Sequence, residues 1–475
     1  MTRHPVIVIG AGPAGLGAAW ELAKQGCDPL VLEAGDKVGG LARTETHKGN
    51  RFDIGGHRFY TKNARVAALW REILGRDLLT VKRLSRICYK GRFVKYPLES
   101  LDTFANLGPL ESALIILSYL KARLVPSAPE ETFEQWVTNR FGRRLYLTFF
   151  KGYTEKVWGL PCDAIRADWA AQRMGGLSVA AAVTNAVFGT GGARTLAAEF
   201  LYPVLGPGMM WERFAEGVET NGGRVRLRAE VVRINHESGR VRSVTVADGD
   251  EPFDLSGDSF ISSMPLCDLV MRMAPRPPAD VVNAAVNLRY RDFILVALVV
   301  NGSRLFPYNW IYVHDARVRV ARIQNFRNWS AAMVADAGKT CLGMEYFCSE
   351  GDELWNMGDF RLVQLAAGEL DATGLASRRD VEDGVVIREG KAYPVYDASY
   401  RDKVSVIRRH LSSFSNLQTV GRNGMHRYNN QDHSMLAGML AAGNVLGEKH
   451  EIWDINADRS YGERNLVPSE TAVGP

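Results

Sequence analysis

The chain has 475 residues, well beyond the usual domain size of about 100–200, so it should bury a large core and divide into more than one domain. With 46% hydrophobic and 23% charged residues it is neither a disordered nor a fibrous polymer. The net charge of +5 is dispersed, and the densest basic stretch (Lys82, Arg83, Arg86, Lys90, Arg92, Lys95) is interleaved with apolar residues, which argues against nucleic acid and suits an acidic small molecule.

The chain enters a strand within a few residues, without the zones of a signal peptide. Its six cysteines (27, 88, 162, 267, 341 and 348) lack the paired spacing of a zinc or dithiol site and read as small buried hydrophobes in a reducing compartment. No apolar run approaches the ~20 residues of a membrane span. The expectation is a cytoplasmic protein with no metal site and no transmembrane segment; its oligomeric state is left open.

Residues 6–9, Val-Ile-Val-Ile, suit a buried parallel strand and lead into Gly10-Ala11-Gly12-Pro13-Ala14-Gly15 and a helical stretch over 16–24. Gly10 permits the turn, Gly12 lets the backbone approach a pyrophosphate, and Gly15 lets helix and strand pack closely, while the helix N-terminus offers N–H groups to the anion. A second strand over 29–32 ends in Glu33-Ala34. A carboxylate there accepts ribose hydroxyls and repels a 2′-phosphate, which points to FAD or NAD rather than NADP. Asp36-Lys37-Val38-Gly39-Gly40-Leu41 with Arg43 resembles the extended second motif of two-dinucleotide-binding flavoproteins and on that resemblance favours FAD, and Asp53-Ile54-Gly55-Gly56-His57 sets flexible backbone beside a titratable ring, as close approach to an isoalloxazine requires.

Further along, residues 110–124 and 133–150 have helical spacing, 224–234 reads as a strand with polar alternation whose Val231-Val232 backbone is placed to touch an adenine, and 293–300 and 341–347 read as strands. Three more segments stand out: Gly152-Tyr153-Thr154-Glu155-Lys156-Val157-Trp158-Gly159, Tyr393-Pro394-Val395, and Gly421-Arg422 followed by Asp432. Together with the glycine motifs they make the chain resemble UDP-galactopyranose mutase and its close relatives, within a wider superfamily of protoporphyrinogen oxidase, amine oxidases and phytoene desaturases.

The resemblance implies an α/β fold: a doubly wound, Rossmann-like FAD-binding domain in three pieces (1–80, 208–265, 405–475), with an inserted helical domain (81–207) and an antiparallel β-sheet domain (266–404). It implies non-covalent FAD, a reductant such as NAD(P)H, and ring isomerisation of a nucleotide-linked sugar through N5 of the reduced flavin. Tyr153 and Trp158 would form a uridine slot. Arg173 and Arg291 would neutralise the diphosphate, and Tyr393 and Arg322 would lie beside them. His57, Gly421, Arg422, Asp432 and Met435 would surround the flavin. Two departures bear on the substrate: Tyr60 replaces the second histidine near the flavin, and 175–199 is longer and richer in Ala, Val and Gly than the mutase lid. An FAD-dependent oxidase, dehydrogenase or desaturase is the other enzymatic reading, and a flavin-binding protein without chemistry a third.

Overall fold

A computed structural model describes residues 3–96, 107–167, 170, 198–249 and 251–456. The first strand, Arg3–Ile9, pairs in parallel with Leu30–Leu32 on one side and Phe253–Ser262 on the other. Arg224–Arg226 extends the sheet beyond Leu30–Leu32, and Leu417–Thr419 pairs with the end of Phe253–Ser262. Along Arg3–Ile9 successive side chains point to opposite faces. Val6 and Val8 pack under helices Pro13–Lys24, Gly208–Thr220 and Gln431–Val445, whereas Ile7 and Ile9 meet Leu266–Met271, Ala279–Val286 and Tyr400–Leu411. Helices on both faces of a largely parallel sheet make this layer doubly wound.

Helices Pro13–Lys24 and Gln431–Val445 touch backbone to backbone. A Cβ on Gly438 would lie 1.9 Å from the Ala14 carbonyl oxygen, and one on Gly17 would lie 2.9 Å from that of Met435. These glycines bring two helix N-termini to one end of the sheet.

The second sheet has seven strands in the order Val381–Pro394, Tyr290–Asn301, Lys339–Cys348, Arg322–Asn325, Trp310–Val313, Ser85–Tyr89 and Arg92–Tyr96. Its pairings are antiparallel except Trp310–Val313 with Ser85–Tyr89. Two of its strands therefore come from a stretch expected to be helical. Ser85 and Ile87 alternate on one face, where Ile87 faces its cross-strand partner Val94, while the next residue, Cys88, is buried on the other face in a separate cluster.

The helical stretch over 133–150 is not one helix. It opens as Phe133–Phe141 on a Thr132/Gln135 capping box and stops at Gly142, whose φ of 81° no helix accepts. A Cβ at Gly142 would lie 2.7 Å from the Tyr119 nitrogen of the packed helix Pro109–Leu124, so the break is enforced by close approach. Likewise 224–234 is two strands, Arg224–Arg226 and Glu230–Glu237. Arg228 takes a positive φ between them, and the amides of Arg228 and Ala229 bond to the carbonyls of Gly35 and Glu33.

Candidate active site

A cleft of about 340 Å³ runs across the ends of the parallel strands. Its lining includes Glu33, Ala34 and Val231, the turn Gly10, Gly12, Pro13 and Ala14 with Gly40 beside Gly12 and Gly421 beside Ala14, and Leu41, His57 and Arg422. Gly15 lies behind it, where a Cβ would be 1.8 Å from the Gly10 carbonyl oxygen. At Gly12, in contrast, the nearest protein atom to a Cβ would be 3.8 Å away. Nothing in the protein demands glycine there; the space a side chain would fill is the cleft.

Glu33 is oriented by the amides of Ala11 (2.7 Å) and Gly35 (2.9 Å), which leave acceptor capacity facing the cleft. The amides at the start of Pro13–Lys24 have no side-chain cap, so an anion can take them. At the far end Asn430 caps Gln431–Val445, and the buried Oδ1 of Asn423 has no hydrogen-bond partner. A long cleft with a ribose acceptor, a helix N-terminus at midpoint and a second at the far end fits FAD. Asn423, Gln431, Ser434 and Glu389 also line it and were not singled out in sequence. The Asn429-Asn430 pair before an apolar helix is the N-cap signal that could have found that end.

Several expected cofactor residues stand elsewhere. Arg43 is tied to Glu45 and Glu389 at 2.7 Å each, so its charge is spent on carboxylates. Gly56 makes room for Trp310, whose ring would be 1.9 Å from a Cβ; it is a packing glycine. A Cβ at Gly55 would face His57 and the Tyr393 hydroxyl at 3.7 Å. The Val232 side chain is exposed at a register shift between Val231 and Arg233, and of the expected Val231-Val232 backbone the cleft lining includes Val231. Met435 and Asp432 are buried beside Gly17 and His433 rather than in the cleft wall, and Gln431 and Ser434 take the cleft-facing positions of that helix.

Next to His57 the cleft meets an aromatic cluster. Tyr393 lies 5.5 Å from Tyr428 and 6.3 Å from Trp158, and Trp158 lies 6.3 Å from Tyr428. The Arg422 guanidinium sits over Tyr428 at 4.7 Å and donates to the carbonyls of Asn429 and Ala392. Arg291 donates to the carbonyls of Val157 (3.2 Å) and Phe347 (3.0 Å) and to the Ser349 hydroxyl (2.7 Å). All these acceptors are neutral. Arg322 is different: it is buried against Glu345 and its other bond, 2.9 Å, orients the Tyr393 hydroxyl.

Tyr153 and Trp158 do not face each other. Five residues apart on Gly152–Trp158 they point roughly 140° apart, and Tyr153 stacks on His314 at 4.5 Å. Arg173 and most of 175–199 lie outside the described residues. Tyr60 is half-buried against the apolar core. His57 Nε2 donates to the Ile54 carbonyl at 2.7 Å; a carbonyl only accepts, so that nitrogen carries the proton. Burial and the charges of Arg422, Arg322 and Arg58 lower its pKa to about 3, so the ring is neutral at physiological pH.

Comparison with known proteins decides the family. The model of the flavin containing amine oxidoreductases matches residues 13–303, more than half of the chain. The chain belongs to that family. It is thus an FAD-dependent flavoenzyme of the amine oxidase superfamily. A crystal structure of reduced UDP-galactopyranose mutase superposes with a TM-score of 0.84 at 22% identity, covering 96% of this chain and 98% of that one. A probable UDP-galactopyranose mutase of Klebsiella pneumoniae is 26% identical over 170 residues, 34% of this chain and 42% of its own length. The 15-cis-phytoene desaturase of Solanum lycopersicum is 24% identical over 292 residues, 55% of this chain and 46% of its own. The chain thus spans less than half the length of these two curated relatives.

Proposed function

We propose that the protein binds FAD non-covalently in the cleft and isomerises the sugar ring of a nucleotide-linked sugar. The observation that supports this reading is the aromatic wall of Trp158, Tyr393 and Tyr428 beside two arginines, Arg422 and Arg291, whose hydrogen bonds among the described residues go to neutral acceptors. A base stacks on aromatic faces, and guanidinium forks match diphosphate oxygens. Cations already neutralised by carboxylates, such as Arg43 and Arg322, do not serve that purpose.

Bound and reduced FAD would supply the nucleophile. The chain's own residues bind and orient. Arg291 and Arg422, with Arg173 on the same expectation, offset the charge that grows on the diphosphate as the sugar–oxygen bond breaks. Arg322 fixes the Tyr393 hydroxyl, and His57, its proton on Nε2, keeps a neutral ring in the cleft lining. Gly10, Gly12, Glu33, Gly40, Gly421 and Arg422 would hold the cofactor.

The test incubates the enzyme, with oxidised and with chemically reduced flavin, with a panel of nucleotide sugars including UDP-galactose, and weighs the products. Same-mass isomers formed only by the reduced enzyme are expected. Arg291→Ala should lower turnover on the order of a hundredfold, the effect of removing one electrostatic donor worth about 2–4 kcal/mol. Products lighter by two hydrogens, with flavin reduction that survives Arg291→Ala, would establish the oxidoreductase reading instead.

A further inference from the structure

Helix Pro109–Leu124 is apolar on both sides. One side packs into the protein through Ser112, Ile115 and Ala122. On the other, Leu110, Leu117, Leu120 and Leu124 are 76, 62, 50 and 82% exposed, and Ala113 is exposed between them. At 3.6 residues per turn, positions 110, 113, 117, 120 and 124 fall within an arc of roughly 80°. Exposed leucines scattered singly are ordinary, but a continuous row of them is not.

Charge distinguishes the occupants such a row could have. Lys121 and Arg123 are exposed and, by the same helical geometry, flank the row on its two sides. Lys90, exposed on the turn of the neighbouring hairpin, reaches the same end of the helix as Glu111. Glu111, the helix's own carboxylate, is held by both arms of Arg144 at 2.7 and 2.6 Å. Among the described residues no carboxylate pairs with Lys90, Lys121 or Arg123. In a two-fold antiparallel contact between copies, Lys121 and Arg123 would face the other helix's end with Lys90 and a Glu111 already bonded to Arg144, and would find no free carboxylate there among the described residues. A surface rich in anions would supply the missing charge.

We propose that this helix face docks the enzyme on an anionic lipid bilayer. The helix is about 24 Å long, shorter than a bilayer's hydrocarbon core, and its buried side is fastened to the protein. It would therefore lie in the interface, with the leucines among the acyl chains and Lys121 and Arg123 at the headgroups. The proposal does not depend on the reaction catalysed.

The test is flotation of the full-length flavin-loaded protein with vesicles of phosphatidylcholine alone and of equal parts phosphatidylcholine and phosphatidylglycerol. Co-flotation with the anionic vesicles, weakened by salt, is expected. Leu117→Glu/Leu120→Glu and, separately, Lys121→Glu/Arg123→Glu should each lower the bound fraction roughly tenfold or more while flavin content is unchanged. Leu124→Glu, at the most exposed position, gives the same reading if the double variant does not fold. Absence of flotation, or flotation unaffected by these substitutions, overturns the proposal. So does a dimer, seen by light scattering, that the leucine substitutions dissociate without any lipid binding.

Discussion

Two glycines in one turn separate packing from binding. Gly15 is excluded from carrying a side chain by the Gly10 carbonyl, whereas Gly12 faces the cleft with room around it. Gly15→Ala must push helix from turn and should cost about 2–4 kcal/mol, in the range of overpacking at a buried backbone contact. Gly12→Val should leave the unfolding midpoint of the flavin-free protein nearly unchanged and abolish flavin retention. Urea titration of stripped protein, together with the flavin absorbance of each variant as purified, distinguishes the two. A Gly12→Val protein that remains yellow would mean that the dinucleotide does not cross this turn.

Among the elements, the short helix Gly152–Trp158 carries more than its aromatics. Lys156, half-buried, shares its three N–H donors among the carbonyls of Val313, Asp315, Val318 and Val320 at 2.9–3.2 Å. Burial lowers its pKa to about 8, so it is mostly charged at pH 7. It ties the loop after Trp310–Val313 to the helix that holds Trp158, and Arg291 ties the same helix to the sheet through Val157. Lys156→Met should cost about 2–4 kcal/mol, since several buried carbonyls lose their donor. Protease cleavage within 313–320 should rise with it. Unchanged cleavage would show that the loop holds itself.

At the scale of the whole molecule, three histidines are held neutral, His426 buried and His57 and His314 half-buried. Burial lowers His57 and His314 to about 3 and His426 to about 4. From pH 6.5 down to about 4 the unfolded chain binds three protons that the folded chain refuses, so stability falls as pH falls. Asp53 opposes this. Buried with Tyr202 and Thr44, its carboxyl is pushed up to about 7, so over the same window the folded state keeps one proton that the unfolded state releases. For these four groups three less one leaves two protons, so together they contribute a loss of about 2.7 kcal/mol per pH unit between roughly pH 6 and 4.5. Urea midpoints across that window measure it. His314→Phe should reduce the slope by about 1.4 kcal/mol per unit, and an unchanged slope would mean that His314 titrates normally in the fold.

The sequence by itself determined the dinucleotide cradle, because every requirement there is local: an apolar strand, a glycine turn, a helix start, and Glu33 at the end of the next strand. It also carried the family resemblance and the strands over 293–300 and 341–347, whose apolar runs are continuous. Tertiary structure decided what long-range contact decides. Gly142 breaks a helix because Tyr119 lies against it, Gly56 serves Trp310, and Arg43 and Arg322 are neutralised by Glu389 and Glu345, hundreds and tens of residues away in the chain. Tyr153 and Trp158 sit in one motif yet turn to different partners, since a helix separates positions five apart. The charge left available at the cleft is a sum over such pairings, and no local pattern contains it.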